Sequence, residues 1–161
     1  MTIDFSRSQM LAALLTATLL GCSAEPPQRT QGNTAAPQEA VTRVGDVSMR
    51  ASVVQTSTLS ADIASRYGIA RADTTVMLLV AVRQGSEGQD RSLPATITAT
   101  ATDLRGQRQT VELRELRAGE LLDYVGTVET TLPETLRFDL TILREGGAMS
   151  SMQFSREFYP Q

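Results

Sequence analysis

The amino-acid sequence predicts an all-β protein: an immunoglobulin-like antiparallel β-sandwich of about seven strands, with one short helix near residues 60–67. Three observations point that way. Runs rich in Val, Thr, Ile and Leu recur from about Val41 onward, several with the two-residue alternation of a strand that buries one face. Clusters containing Gly, Pro and Asp separate these runs. The runs are closely spaced and joined mostly by hairpin-like turns, which fits a sandwich, with a small barrel as the alternative.

Taken in order, Val44 to Gln55 reads as the first strand. Ser60 then supplies an N-cap, Asp62 an acidic first turn and Gly68 a stop, which together predict the helix. Thr75 to Gln84 is nearly continuous apolar sequence and reads as a central strand. Leu93 to Leu104 alternates, with Ile97, Ala99 and Ala101 on one face and Thr96, Thr98, Thr100 and Thr102 on the other. Arg108 to Leu116 and Leu121 to Thr131 follow. Leu136 to Leu143 places Leu136, Phe138, Leu140 and Ile142 on one face, and Met152 to Phe158 places Met152, Phe154 and Phe158 there. Turns are expected at 85–90, 103–107, 118–119, 132–134 and 146–147.

Upstream of the folded part the texture changes. Ser23 to about Ala40 carries Pro26, Pro27 and Pro37 and almost no large apolar residue, so it reads as a tether. Such a segment reaches about 60 Å when extended and on the order of 25 Å as a coil. Before it, Met10 to Leu20 is an apolar run too short to span about 30 Å of hydrocarbon, but of the length found in the core of a secretory signal. It ends in Leu19-Leu20-Gly21-Cys22, which resembles the lipobox of bacterial lipoproteins. The resemblance implies cleavage between Gly21 and Cys22 and acylation of Cys22. Two or three acyl chains hold a protein durably to a membrane, where one holds it only marginally. Ser23 follows the cysteine in place of the Asp that favours inner-membrane retention, so the expected location is the outer membrane, facing the periplasm. The expected organisation is a signal peptide at 1–21, an acylated cysteine with a flexible Pro-rich tether at 22–40, and a sandwich domain at 41–161.

Composition narrows the chemistry. The 161 residues are 41% hydrophobic, enough for a folded domain, and carry a formal net charge of −3. There is no basic footprint for nucleic acid. All 15 basic residues are Arg. Without a single His, no imidazole base, His-containing triad or His metal ligand exists. One Cys allows neither an internal disulfide nor a CxxC site. No cofactor is expected, and no enzyme activity.

Several segments in order carry a family resemblance. They are Tyr67-Gly68-Ile69-Ala70-Arg71, then Ala101-Thr102-Asp103-Leu104-Arg105-Gly106-Gln107, Leu113-Arg114-Glu115-Leu116, Tyr124, Glu134 with Leu136 and Phe138, and finally Phe154 with Phe158-Tyr159-Pro160. Together, from Val44 to Pro160, they resemble the DUF4426 family of small exported bacterial proteins. The resemblance implies export and a β-sandwich-like domain, and supplies no activity and no catalytic residues. Members generally begin with an ordinary signal peptide, and the lipobox and tether depart from that pattern.

Three constellations are candidate sites. Glu87 and Asp90 share a loop but lack the Asp-x-Asp-x-Asp-Gly spacing of a calcium loop. Glu112, Arg114, Glu115 and Arg117 crowd one strand, where cross-strand ion pairs are the expected use. Tyr67, Gly68 and Arg71 follow the helix and form a candidate interaction corner, since Tyr and Arg are favoured interface anchors. The function these features fit best is a lipid-anchored, non-catalytic module that binds another envelope protein. A carrier of a small apolar ligand would instead need an internal cavity. A carboxylate-based glycan enzyme would need two carboxyls roughly 5 to 9 Å apart across a cleft.

Overall fold

A computed structural model describes residues 39–161. The expected signal peptide, Gly21, Cys22 and the expected tether up to residue 38 lie outside the described residues. Ten strands form two antiparallel sheets, with one α-helix and one 3-10 turn between the second and third strands. No helix among the described residues is long and apolar enough to cross a membrane.

The strands are β1 (Glu39–Val44), β2 (Val47–Gln55), β3 (Thr75–Gln84), β4 (Arg91–Ser92), β5 (Ala95–Thr102), β6 (Arg108–Thr110), β7 (Arg114–Ala118), β8 (Leu121–Glu129), β9 (Glu134–Arg144) and β10 (Met149–Phe158). The first sheet has the order β1-β2-β3-β8-β7, with β4 also pairing β3; the second has the order β10-β9-β5-β6. In immunoglobulin lettering, β2, β3, β8 and β7 take the A, B, E and D places. Strands β10, β9, β5 and β6 take G, F, C and C′. The predicted sandwich is therefore the observed one.

The seven predicted runs correspond to the seven lettered strands A to G, and three further strands were not anticipated. Strand β1 begins at Glu39, inside the stretch read as tether, and is joined to β2 by the two-residue turn Gly45–Asp46. Its first residues, Glu39 and Ala40, carry too little apolar character to stand out from the Pro-rich sequence before them. Strand β4 has two residues and only closes the end of the 85–94 loop. Strand β6 arises because Arg108 to Leu116 is not one strand. Arg108–Thr110 pairs with β5 in the second sheet, and Arg114–Ala118 pairs with β8 in the first. The chain changes sheets at 111–113, where buried Val111 donates its amide to Ala99 O at 2.9 Å. Gly126 in β8 makes room for this passage: a Cβ there would lie 2.5 Å from Glu112 O.

The core fills the space between the sheets. Val76, Leu78, Val80 and Val82 of β3 face Leu136, Phe138, Leu140 and Ile142 of β9, and Met49, Tyr124 and Met152 complete the cluster. Phe138 stacks on Phe154 with ring centroids 5.3 Å apart. The Tyr124 hydroxyl accepts the Ala95 amide at 2.7 Å and ties β8 to β5 across the sandwich. At the end of β2, Gln55 Oε1 accepts from Gln161 Nε2 just beyond β10 at 3.3 Å.

Helix α1 (Ala61–Tyr67) is capped as expected. Ser60 Oγ accepts the Ile63 amide at 3.2 Å, and Gly68 ends the helix in the left-handed region at φ +60°, ψ 40°. The turn after it lies against the outer face of β8. Met77 and Val125, which point outward from the first sheet, are accordingly buried. This accounts for the apolar start of β3, where Met77 is buried on the outer face, while Leu79 and Ala81 further along that face are half-buried.

Candidate interaction site

The predicted corner is built by the helix stop. Gly68 turns the chain, the Tyr67 carbonyl accepts a hydrogen bond from Arg114 Nη2, and Arg71 Nη2 donates to Ser57 O at 2.7 Å. Arg71 thus holds a backbone carbonyl. Arg114, at the start of β7, is the residue that fastens the corner to the sheet. Between them lies an open groove of about 260 Å³ lined by Gly68, Ala70, Thr75, Glu112, Arg114 and Glu129. Glu129 already accepts Thr75 Oγ1 at 2.7 Å.

The charged cluster is rearranged relative to expectation. Glu112 lies in the sheet crossover and outside β7, so it does not share a strand face with Arg114. Glu115 and Arg117 pair along β7 itself, at 2.8 Å, instead of across strands. Both are exposed, so the pair contributes little to stability. In the 85–90 loop, Glu87 lies 3.9 Å from Arg50, and Asp90 lines the same small cleft. Among the described residues no group of three or more acidic, His or Cys side chains is placed to hold a metal ion.

A surface that the sequence analysis did not single out is the free edge of the second sheet. Strand β10 is ten residues long, and no described strand pairs with it on the side away from β9. Its first seven residues, Met149 to Ser155, carry no charge. Native edges of this length are usually shielded by charged side chains, Pro or a bulge. The ladder alternation fixes which amides face outward. Arg144 N donates to Ala148 O, so Ser150, Met152, Phe154 and Arg156 bond β9. Met149, Ser151, Gln153 and Ser155 turn their amides to the open side. The sequence signal of this edge is the lack of charge in the first seven residues of the last strand, which acquires meaning once the strand order is known. On the outer face beside it, Asp139 accepts hydrogen bonds from Gln153 and from Arg137 Nε at 3.1 Å. These hold its carboxyl below the usual carboxylate range: the Gln153 bond is the largest cause, partial burial opposes it, and the Arg137 and Arg108 charges add to it.

Fold and surfaces together define an immunoglobulin-type sandwich with an uncovered sheet edge and no metal-ligating cluster among its described residues. A family model for a domain of unknown function matches residues 41–161, and the chain belongs to the DUF4426 family. No curated protein matches it. Among solved structures it is similar to a DUF4426 family protein from Pseudomonas aeruginosa PAO1, with 24% identity and a TM-score of 0.63, covering 76% of this chain and 96% of that one. It is also similar to FetP of uropathogenic Escherichia coli strain F11, as isolated after recombinant expression in the periplasm. That match has 12% identity and a TM-score of 0.52, over 78% of this chain and 97% of that one. A copper-bound variant of FetP matches with 12% identity and a TM-score of 0.51, over 76% and 95%. At these identities the likeness is one of fold.

Proposed function

We propose that this protein is a cell-envelope module, anchored by acyl chains on Cys22 to the outer membrane, whose sandwich binds another envelope protein without catalysing a reaction. The observation that carries the binding role is the edge of β10, with which no described strand pairs and which is uncharged over its first seven residues. An exposed edge of that length offers a row of backbone donors and acceptors, and adding a strand to such an edge is a recurring mode of protein recognition. The lipobox supports the anchor. The family resemblance to exported proteins and the fold likeness to FetP, which was expressed in a periplasm, support the envelope setting.

Copper does not carry over from the FetP likeness. The chain has no His, and three of its four described methionines, Met49, Met77 and Met152, are buried. An apolar-ligand carrier is not favoured either, because Phe138, Met49, Leu78 and Leu136 fill the space between the sheets.

Two measurements test the proposal. Cys22→Ser should move the protein from the membrane fraction to the soluble envelope fraction; retention in the membrane would overturn the anchor. For binding, photoreactive residues placed in turn at Arg71, Glu87, Glu115 and Gln153 in the full chain should capture one envelope protein in cells, from Gln153 alone. Capture at none of the four positions would sink the binding role.

A further inference from the structure

The two sheets are unequal in width. The first runs β1-β2-β3-β8-β7 and the second β10-β9-β5-β6. The contacts Ala95–Tyr124 and Gln161–Gln55 set β5 beneath β8 and the end of β10 beneath the end of β2. Strand β1 therefore overhangs, and among the described residues no strand of the second sheet lies beneath it. The residues of β1 that point down are fixed by register. Ala40, Thr42 and Val44 stand opposite Ala51, Met49 and Val47, whose side chains are buried in the core. Yet Val44 is 48% exposed, and Ala40 and Thr42 are only half-buried. The open edge of β10 and the underside of β1 thus bound a channel one strand wide.

We infer that this channel is a docking site for a single extended segment of another polypeptide, which joins the second sheet as its fifth strand. The inference rests on the binding-module reading and names the kind of partner. Its width excludes a second sandwich. In a two-fold pairing of β10 with β10, the β1 of each copy would have to occupy the place already taken by the other's β2. The part of the tether before β1 is a poor occupant, because Pro26, Pro27 and Pro37 and the lack of large apolar residues disfavour a strand.

Charge and burial describe the occupant further. The edge is uncharged from Met149 to Ser155, so a segment lying along it carries no charge on its inward side chains there, where a charged group would be left unpaired. Its inward side chains are small and apolar, to fit beneath Val44, which is 48% exposed, since Ala40 and Phe154 are already packed against the core. On the outer face, Leu143 and Met149 are register partners at the same end of the channel, exposed 39% and 69%. They offer a second apolar contact to the segment's outward side chain.

The test uses the full chain in cells with photoreactive residues at Thr42, on the roof of the channel, and at Gln153, on its edge. Mapping the crosslinked peptides should place both labels on one contiguous segment of about ten residues in one partner, alternating between small apolar and polar side chains. Two variants should each cut that labelling roughly tenfold, the loss expected when one backbone bond is removed or the channel is blocked. Ser151→Pro removes an amide that faces the open side while sparing the β9 ladder, and Val44→Arg fills the channel from above. Labels scattered over several proteins, labels on a second copy of this chain, no capture from either position, or labelling unchanged in both variants would overturn the inference. Capture of one protein from Arg71 or Glu87, with Thr42 and Gln153 silent, would overturn the channel and leave the binding-module reading standing.

Discussion

The outermost strands β7 and β10 are built to opposite specifications. Strand β7 has five residues, three of them charged. Arg114 is drawn back onto the Tyr67 carbonyl, and Glu115 pairs with Arg117 along the strand. Short length and charge are standard protection against unwanted pairing. Strand β10 has ten residues and no charge in its first seven. Both edges belong to one small domain under the same pressure to avoid aggregation, so the contrast teaches that the second edge is shielded by a different device. That device is the overhang of β1, which excludes another sheet while admitting a strand.

Proline substitution sharpens this contrast most. Met152→Pro removes an amide that bonds β9 and forces a proline ring into the ladder, with an expected loss of about 3 kcal/mol or more in urea unfolding. Ser151→Pro, one residue away, removes an amide on the open side, where an edge strand tolerates proline, and should lose no more than about 1 kcal/mol. Equal losses would mean that the ladder alternation assigned to β10 is wrong.

The β7 edge is best broken from behind. Gly126→Ala would set a Cβ 2.5 Å from Glu112 O, and the clash is with backbone, so the 111–113 crossover must shift. Forced shifts of this kind cost roughly 1–3 kcal/mol. Because the crossover leads directly into Arg114, the variant should also speed proteolysis near Tyr67. A loss of stability without that local opening would separate the crossover from the corner. Smaller again is Arg114→Ala, which deletes one hydrogen bond at an exposed site, with an expected cost of about 1 kcal/mol.

Much of this arrangement was legible in the sequence, for reasons that differ by element. Period-two alternation located β5 and β9, because each buries one face. Ser60 and Gly68 located α1, because their side-chain and backbone preferences act locally. What stayed hidden depends on the partner across space. Nothing local in Arg108 to Leu116 says that Thr110 pairs in one sheet and Arg114 in the other; the evidence is Gly126, a residue whose missing side chain matters only when the strands are assembled. The corner residues Tyr67, Gly68 and Arg71 stand out by type and position, whereas Arg114, whose Nη2 donates to the Tyr67 carbonyl, reads in the sequence as part of an ion-pair cluster. The channel was beyond reach, since it is a property of sheet widths.

The smallest expected effect concerns the flank of the open edge. Gln153 turns its amide to the channel while its side chain donates to Asp139 on the outer face. The Asp139 carboxyl is thereby held below its ordinary value of 3.8, with help from Arg137 and against the opposing effect of burial. A carboxylate whose folded value is depressed adds stability above its unfolded value, and that contribution is lost as pH falls through the folded value. The contribution is therefore present at pH 7 and disappears below about pH 4. The site is partly exposed, so solvent screening keeps the effect small. Urea unfolding at pH 7 and at pH 3 should show a smaller drop in midpoint for Gln153→Ala than for the unaltered protein. An identical drop in both would mean that Gln153 does not hold Asp139. The outer face would then leave the Gln153 side chain free to reach toward a strand docked at the edge.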